Sequence, residues 1–166
     1  MPSIGISKQS NDKTYFLTLT VKNWYYILDR HKRWDILANS LRYFKENREL
    51  KLYGFVFMIN HIHLLCFSND MIGFVRDFKK HTTNELLKNI EQSEPAMLKL
   101  FADFLKKELW QKTNMPELIE TEKFFLQKLD YIHQNPVRRN YVVVPENWYW
   151  SSANKQCELK ADEIII

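Results

Sequence analysis

Glycine is scarce, at three residues in 166. Neither GxGxxG nor GxxxxGK[ST] occurs, so the chain lacks a glycine-rich loop to cradle a nucleotide phosphate, and nucleotide-dependent chemistry is disfavoured. The two cysteines, Cys66 and Cys157, supply no disulfide framework and no CxxC zinc pattern, which fits a reducing compartment. No apolar run approaches the ~20 residues that span a bilayer, and the opening MPSIGISKQS has no apolar signal core. These absences lead to the expectation of a soluble, cytoplasmic protein with no membrane partner. What the chain does contain is globular in character: 45% hydrophobic and 27% charged residues. Its length suits a single domain over 1–166, with a flexible segment at 1–12 and a C-terminal tail at 154–166. Lys and Arg outnumber Asp and Glu by 24 to 20, giving a net charge of +4. That surplus permits a nucleic-acid partner without demanding one.

Hydrophobic patterning sets out the elements. Thr14–Val21 alternates apolar residues with Thr, as a half-buried strand does. Residues 32–48 place Ile36, Leu37, Leu41 and Phe44 near helical spacing. Two runs rich in aromatic and β-branched residues, 51–59 and 61–67, read as strands joined by a tight turn at Asn60. Asp70 is placed to cap a helix over 71–90. A helical stretch follows at 95–107, then a short strand at 109–112, then a helix at 121–134 ended by Pro136. This order implies an α+β fold, a ferredoxin-like or RRM-like sandwich with a central antiparallel sheet and helices on one side.

Two clusters could carry chemistry. His61-Ile62-His63 sits in a predicted strand, where positions i and i+2 share a face and two imidazoles could converge on one divalent cation. Taken alone, the spacing favours a plainer reading, with both histidines on a solvated strand face or hydrogen-bonded in the core. Tyr131 and Asn135 lie at i and i+4 on a predicted helix, so a phenol and an amide oxygen point the same way. Tyrosine can act as a nucleophile toward phosphorus, and an amide oxygen suits a hard cation. Here too the plainer reading stands, a core aromatic and a C-terminal cap.

Read together, the clusters fall into a pattern. The stretches Thr18-Leu-Thr-Val-Lys-Asn-Trp24, Gly54-Phe-Val-Phe-Met-Ile-Asn-His-Ile-His-Leu-Leu65, Phe78-Lys-Lys-His-Thr-Thr-Asn84, Leu109-Trp-Gln111, Phe125-Leu-Gln-Lys-Leu-Asp-Tyr-Ile-His-Gln-Asn-Pro-Val-Arg138 and Trp150-Ser-Ser-Ala153 occur in order over roughly residues 14–153. In motif and spacing the chain resembles the HUH single-tyrosine transposases, in particular the REP-associated tyrosine transposases. The resemblance implies that His61, His63 and Asn135 bind a divalent metal, Mg²⁺ or Mn²⁺. It implies that Tyr131, on a C-terminal helix, is the catalytic nucleophile. It further implies nicking and strand transfer on single-stranded, hairpin-flanked DNA through a 5′-phosphotyrosine intermediate. A homodimer that shares the tyrosine helix between chains is compatible with the resemblance.

Arg76, Lys79 and Lys80 on one predicted helix, and Arg138 and Arg139 after the tyrosine, are the candidate DNA contacts. Where relatives continue with a small residue and Gly, this chain has Arg139-Asn140. Asn tolerates positive φ, so a left-handed turn can survive there. The alternative reading is a domesticated protein that grips structured single-stranded DNA without cutting it. The intact set of four site residues argues against that.

Overall fold

Thr and apolar residues alternate along Lys13–Thr20, and the segment forms a strand, β1, that buries Tyr15, Leu17 and Leu19 on one face. The computed structural model describes residues 12–101 and 108–164. Helix α1 follows over Arg33–Asn47, then the hairpin strands β2 (Lys51–Phe57) and β3 (His61–Ser68). Helix α2 spans Met71–Ser93 and starts where expected, with the Asp70 carboxylate accepting from the Gly73 amide at 3.0 Å. A two-residue strand β4 (Glu117–Leu118) precedes helix α3 (Glu122–Arg138). The sheet is antiparallel in the order β2-β3-β1-β4, which is the ferredoxin-like order for this βαββαβ sequence.

Period two sorts the sheet residues between two faces. Leu17, Leu19, Phe55, Phe57, Ile62, Leu64 and Cys66 form the large core with α1 and α2. Phe16, Val56, Met58 and Leu65 form a smaller one with Ile132 of α3. The expectation of helices on one side is therefore corrected: α3 occupies the opposite face, and the sheet lies between two helical layers. Gly54 makes that second layer close-fitting. A Cβ at this position would come within 2.6 Å of Leu129 Cδ1 on α3. Both cysteines are buried and free, and burial pushes the Cys66 thiol up to about 12, which keeps it inert.

Three boundaries differ from the sequence reading. The strand expected at 109–112 is only a bridge between Trp110 and Val21, and the fourth strand lies further on at Glu117–Leu118. Met115 at φ 43 and Pro116, which has no N–H to donate, interrupt the ladder between them. The helix expected at 95–107 is a 3-10 turn over Pro95–Leu100, and 102–107 lie outside the described residues. So do residues 1–11 of the expected flexible start and the final Ile165 and Ile166.

Pro136 does not end α3 but lies inside its last turn. The helix ends two residues later at Arg138, and a left-handed residue, Asn140 at φ 60, follows the Arg139 cap. The Tyr141 amide bonds the Pro136 carbonyl and the Asn140 amide bonds that of Val137, the hydrogen-bond pair of a Schellman motif. The left-handed turn expected at Asn140 is thus present.

The chain then returns along the free edge of β2. Val56 and Ser151 form an antiparallel bridge, the Phe57 amide donates to the Trp150 carbonyl, and the Leu52 amide donates to Asp162 Oδ2. Ser152 Oγ accepts from the Phe55 amide at 3.0 Å and meets His133 Nε2 at 2.8 Å, tying this return to α3.

Candidate active site

Strand parity points His61 and His63 to the face that carries α3, while Ile62 enters the opposite core. Their ring centroids are 4.8 Å apart. Each ring is held through Nδ1: His61 pairs with Asn60 Oδ1 at 2.8 Å, and His63 with Thr18 Oγ1 at 3.0 Å across the β1–β3 ladder. This leaves both Nε2 atoms as the nitrogens available to a ligand. Both histidines are buried. Burial, followed by the Arg139 charge, pushes His61 down to about 4. Burial, followed by His61, Arg138, Lys128 and Arg139, holds His63 well below its ordinary value. At neutral pH both are uncharged, the form in which imidazole binds a metal.

Helix α3 delivers Tyr131 to this pair. Its ring stands edge-on to His63, with centroids 5.5 Å apart, and edge-on to Phe16 at 5.8 Å. Phe16 in turn stacks on His63. Tyr131 as a whole remains 42% exposed, so the residue is open to a large substrate. Two cations flank it. The Arg138 guanidinium lies 4.1 Å from the ring centroid and also donates to the Tyr131 carbonyl. Lys128 Nζ lies over Phe16 at 4.6 Å and within 5.4 Å of the Tyr131 centroid, while paired with Glu117.

Asn135 is buried one turn beyond Tyr131, and its side chain makes no hydrogen bond among the described residues. The described residues contain no group of three or more His, Cys, Asp or Glu arranged for a metal. A third protein ligand beside the two histidines would therefore have to be of another type, and the Asn135 amide oxygen is of the right chemistry. Two neutral, oriented imidazoles and an amide without an internal partner fit a divalent cation.

The candidate DNA contacts separate into two groups. Arg138 and Arg139 lie at the site. Arg76, Lys79 and Lys80 are on α2, across the sheet. Arg76 is paired with Asp77, and Lys79 donates to the Gln111 and Lys112 carbonyls at 2.8 and 3.3 Å. Burial pushes Lys79 down to about 8, so it remains charged at neutral pH, but its ammonium is already used to hold the 109–112 segment. Lys80 lines a cleft of about 530 Å³ beside Thr83, Asn84 and Lys112.

Sequence reasoning missed Lys128, whose position one turn before Tyr131 was the available signal. It also missed Thr18 and Asn60 as the groups that orient the histidines, since Asn60 read only as a turn residue.

No family model matches the chain. Over 107 residues it is 32% identical to a Haemophilus influenzae protein provisionally named a REP-associated tyrosine transposase, a match covering 62% of this chain. The chain spans 57% of the length of that relative. Among solved structures, it is similar to a REP-associated tyrosine transposase bound to a REP hairpin. That likeness has a TM-score of 0.66 at 20% identity and covers 94% of each chain. A provisional transposase from Deinococcus radiodurans aligns at 20% identity over 72% of this chain and 87% of its own, with a TM-score of 0.47, too low to add to this. The chain is thus similar in sequence over 107 residues to the Haemophilus influenzae protein, and in fold over nearly its whole length to the hairpin-bound structure.

Proposed function

We propose that this chain nicks single-stranded DNA beside a hairpin and rejoins strands through a covalent bond to Tyr131. The observation that carries this reading is the convergence of Tyr131 with His61 and His63 from elements far apart in sequence, His63 and Tyr131 lying 5.5 Å centroid to centroid. The hairpin partner rests on the likeness to the hairpin-bound relative.

In the proposed reaction the Tyr131 phenolate oxygen attacks the scissile phosphorus. The P–O3′ bond breaks, the phenolic proton passes to water, and the departing 3′-oxygen takes up a proton. A 5′-phosphotyrosine and a free 3′-OH result. Attack by a second 3′-OH on the same phosphorus reverses the step and frees Tyr131, so the ester conserves the bond and no nucleotide cofactor is consumed. His61, His63 and Asn135 would hold the divalent ion, Mg²⁺ or Mn²⁺. Such an ion, when bound, withdraws charge from the phosphate and stabilises the leaving oxygen.

Thr18 and Asn60 keep the imidazoles turned toward that position. Arg138 fixes the Tyr131 ring by stacking, and Lys128 and Arg139 add the positive field that draws a phosphodiester in. Tyr131 stands beside His63 of its own chain.

The test is a covalent-adduct assay with hairpin-flanked oligonucleotides in Mn²⁺ or Mg²⁺. The parent is expected to form an adduct stable to denaturant. Tyr131→Phe is expected to bind the same DNA and form none, and chelation is expected to abolish the parent's adduct. Binding without cleavage by the parent would favour the domesticated binder, and cleavage by the Phe variant would remove Tyr131 from its role.

A further inference from the structure

Of the five tryptophans, four have evident structural roles. Trp34 and Trp148 donate to the Met58 and Phe57 carbonyls and meet edge to face. Trp110 donates to Thr82, and Trp150 stacks on Phe57. Trp24 differs on every count. The residue is 64% exposed, and its indole makes no ring contact, cation contact or hydrogen bond among the described residues.

The backbone beneath it is also unusual. Asn23 and Trp24 are consecutive left-handed residues, at φ 56 and 58. That conformation is unfavourable for a bulky side chain. Neither the exposure nor the backbone contributes to the core. Yet the position is held firmly: the Trp24 amide donates to the Val21 carbonyl, and its own carbonyl accepts from Asn60 Nδ2 at 3.2 Å.

Asn60 makes the connection to the site. Its amide nitrogen holds Trp24 while its Oδ1 holds His61 Nδ1. One side chain therefore fixes the indole's backbone and a candidate metal ligand relative to each other. We infer that Trp24 is a stacking platform for a nucleobase of the single strand that passes the His61–Tyr131 site. An exposed indole offers a flat π-face to any base, and the cations at Arg138, Arg139 and Lys128 are placed to attract the adjoining phosphates. The inference rests on the proposed DNA substrate but not on cleavage, and it assigns a base contact where that proposal assigned only phosphate contacts.

The experiment is equilibrium binding of the full chain, without divalent metal, to a short oligothymidylate and to an abasic phosphodiester strand of equal length. Tryptophan emission is followed in the same titrations. The parent is expected to prefer the base-bearing strand, with its emission quenched on binding. Trp24→Ala is expected to bind that strand about five- to a hundredfold more weakly, to bind the abasic strand like the parent, and to melt like the parent. Trp24→Phe is expected to recover most of the affinity.

If Trp24→Ala binds the base-bearing strand within twofold of the parent, the platform is overturned while the nicking proposal stands. If the parent binds neither strand nor any hairpin-flanked one, the DNA reading fails and the platform with it. If the parent binds DNA yet forms no adduct, the chemistry fails and the platform is still judged by the alanine variant.

Discussion

At the scale of single residues, the site depends on keeping two imidazoles neutral inside a positively charged neighbourhood. His61 sits at about 4 in the folded chain, against an ordinary 6.5. Between those values the unfolded chain binds the extra proton and the folded chain does not. Stability from this residue is therefore complete above about pH 6.5 and is lost as pH falls toward 4, by up to about 3 kcal/mol. His63, also depressed, acts in the same direction. Melting temperature measured against pH in the presence of a chelator is expected to fall over this window. His61→Asn should remove part of the fall, and an unchanged profile in that variant would show that the imidazole is not held as described. The pairing of His61 with His63 and of Tyr131 with Asn135 could be read from strand and helix periods alone. That Thr18 and Asn60 turn the rings could not, because one acts across a ladder and the other looks like ordinary turn chemistry.

Among elements, the decisive relation is the fit of α3 against the sheet. Gly54 has no side chain, and Leu129 fills the space a Cβ would take. Gly54→Val is expected to push α3 outward, costing about 1–3 kcal/mol of stability by overpacking. The adduct rate should drop by more than DNA affinity does, since Tyr131 and Asn135 ride on that helix. Denaturant melts and single-turnover adduct rates check the two effects separately, and a variant with parental rates would show that the close approach does not set the tyrosine's position.

Most elements were legible in the sequence: β1 by alternation, β2 and β3 by their apolar flanks, α2 by its Asp70 cap. The end of α3 was not, because a proline in the last turn removes only one of the helix's hydrogen bonds and a Schellman turn closes it afterwards. The side of the sheet on which α3 lies was hidden for a different reason. Its buried stripe is short, with only Ile132, Asn135 and Pro136 buried, and a stripe records that a helix packs but not against which face. The role of Lys79 was equally invisible: a lysine in a basic run looks free until the carbonyls that it holds are located.

Across the whole molecule, the sheet separates a thick apolar layer under α1 and α2 from a thin one under α3, and the candidate site stands on the thin side. Residues 150–162 secure that arrangement by accepting from the Leu52, Phe55 and Phe57 amides of β2. A chain ending at Tyr149 is expected to lose about 3 kcal/mol from these bonds alone. Rapid hydrogen exchange at those three amides, and self-association through the bared strand, are the expected signs. Protection that survives the truncation would mean that β2 is covered by something else.

The same return of the chain bears on the order of events during synthesis. Residues 51–57 leave the ribosome long before the partner that covers their outer edge exists. The nascent polypeptide thus carries a sticky border until residues 150–162 have been made, and His133 waits with it for Ser152. The helix that carries Tyr131 gains this anchor only once residue 152 has been made.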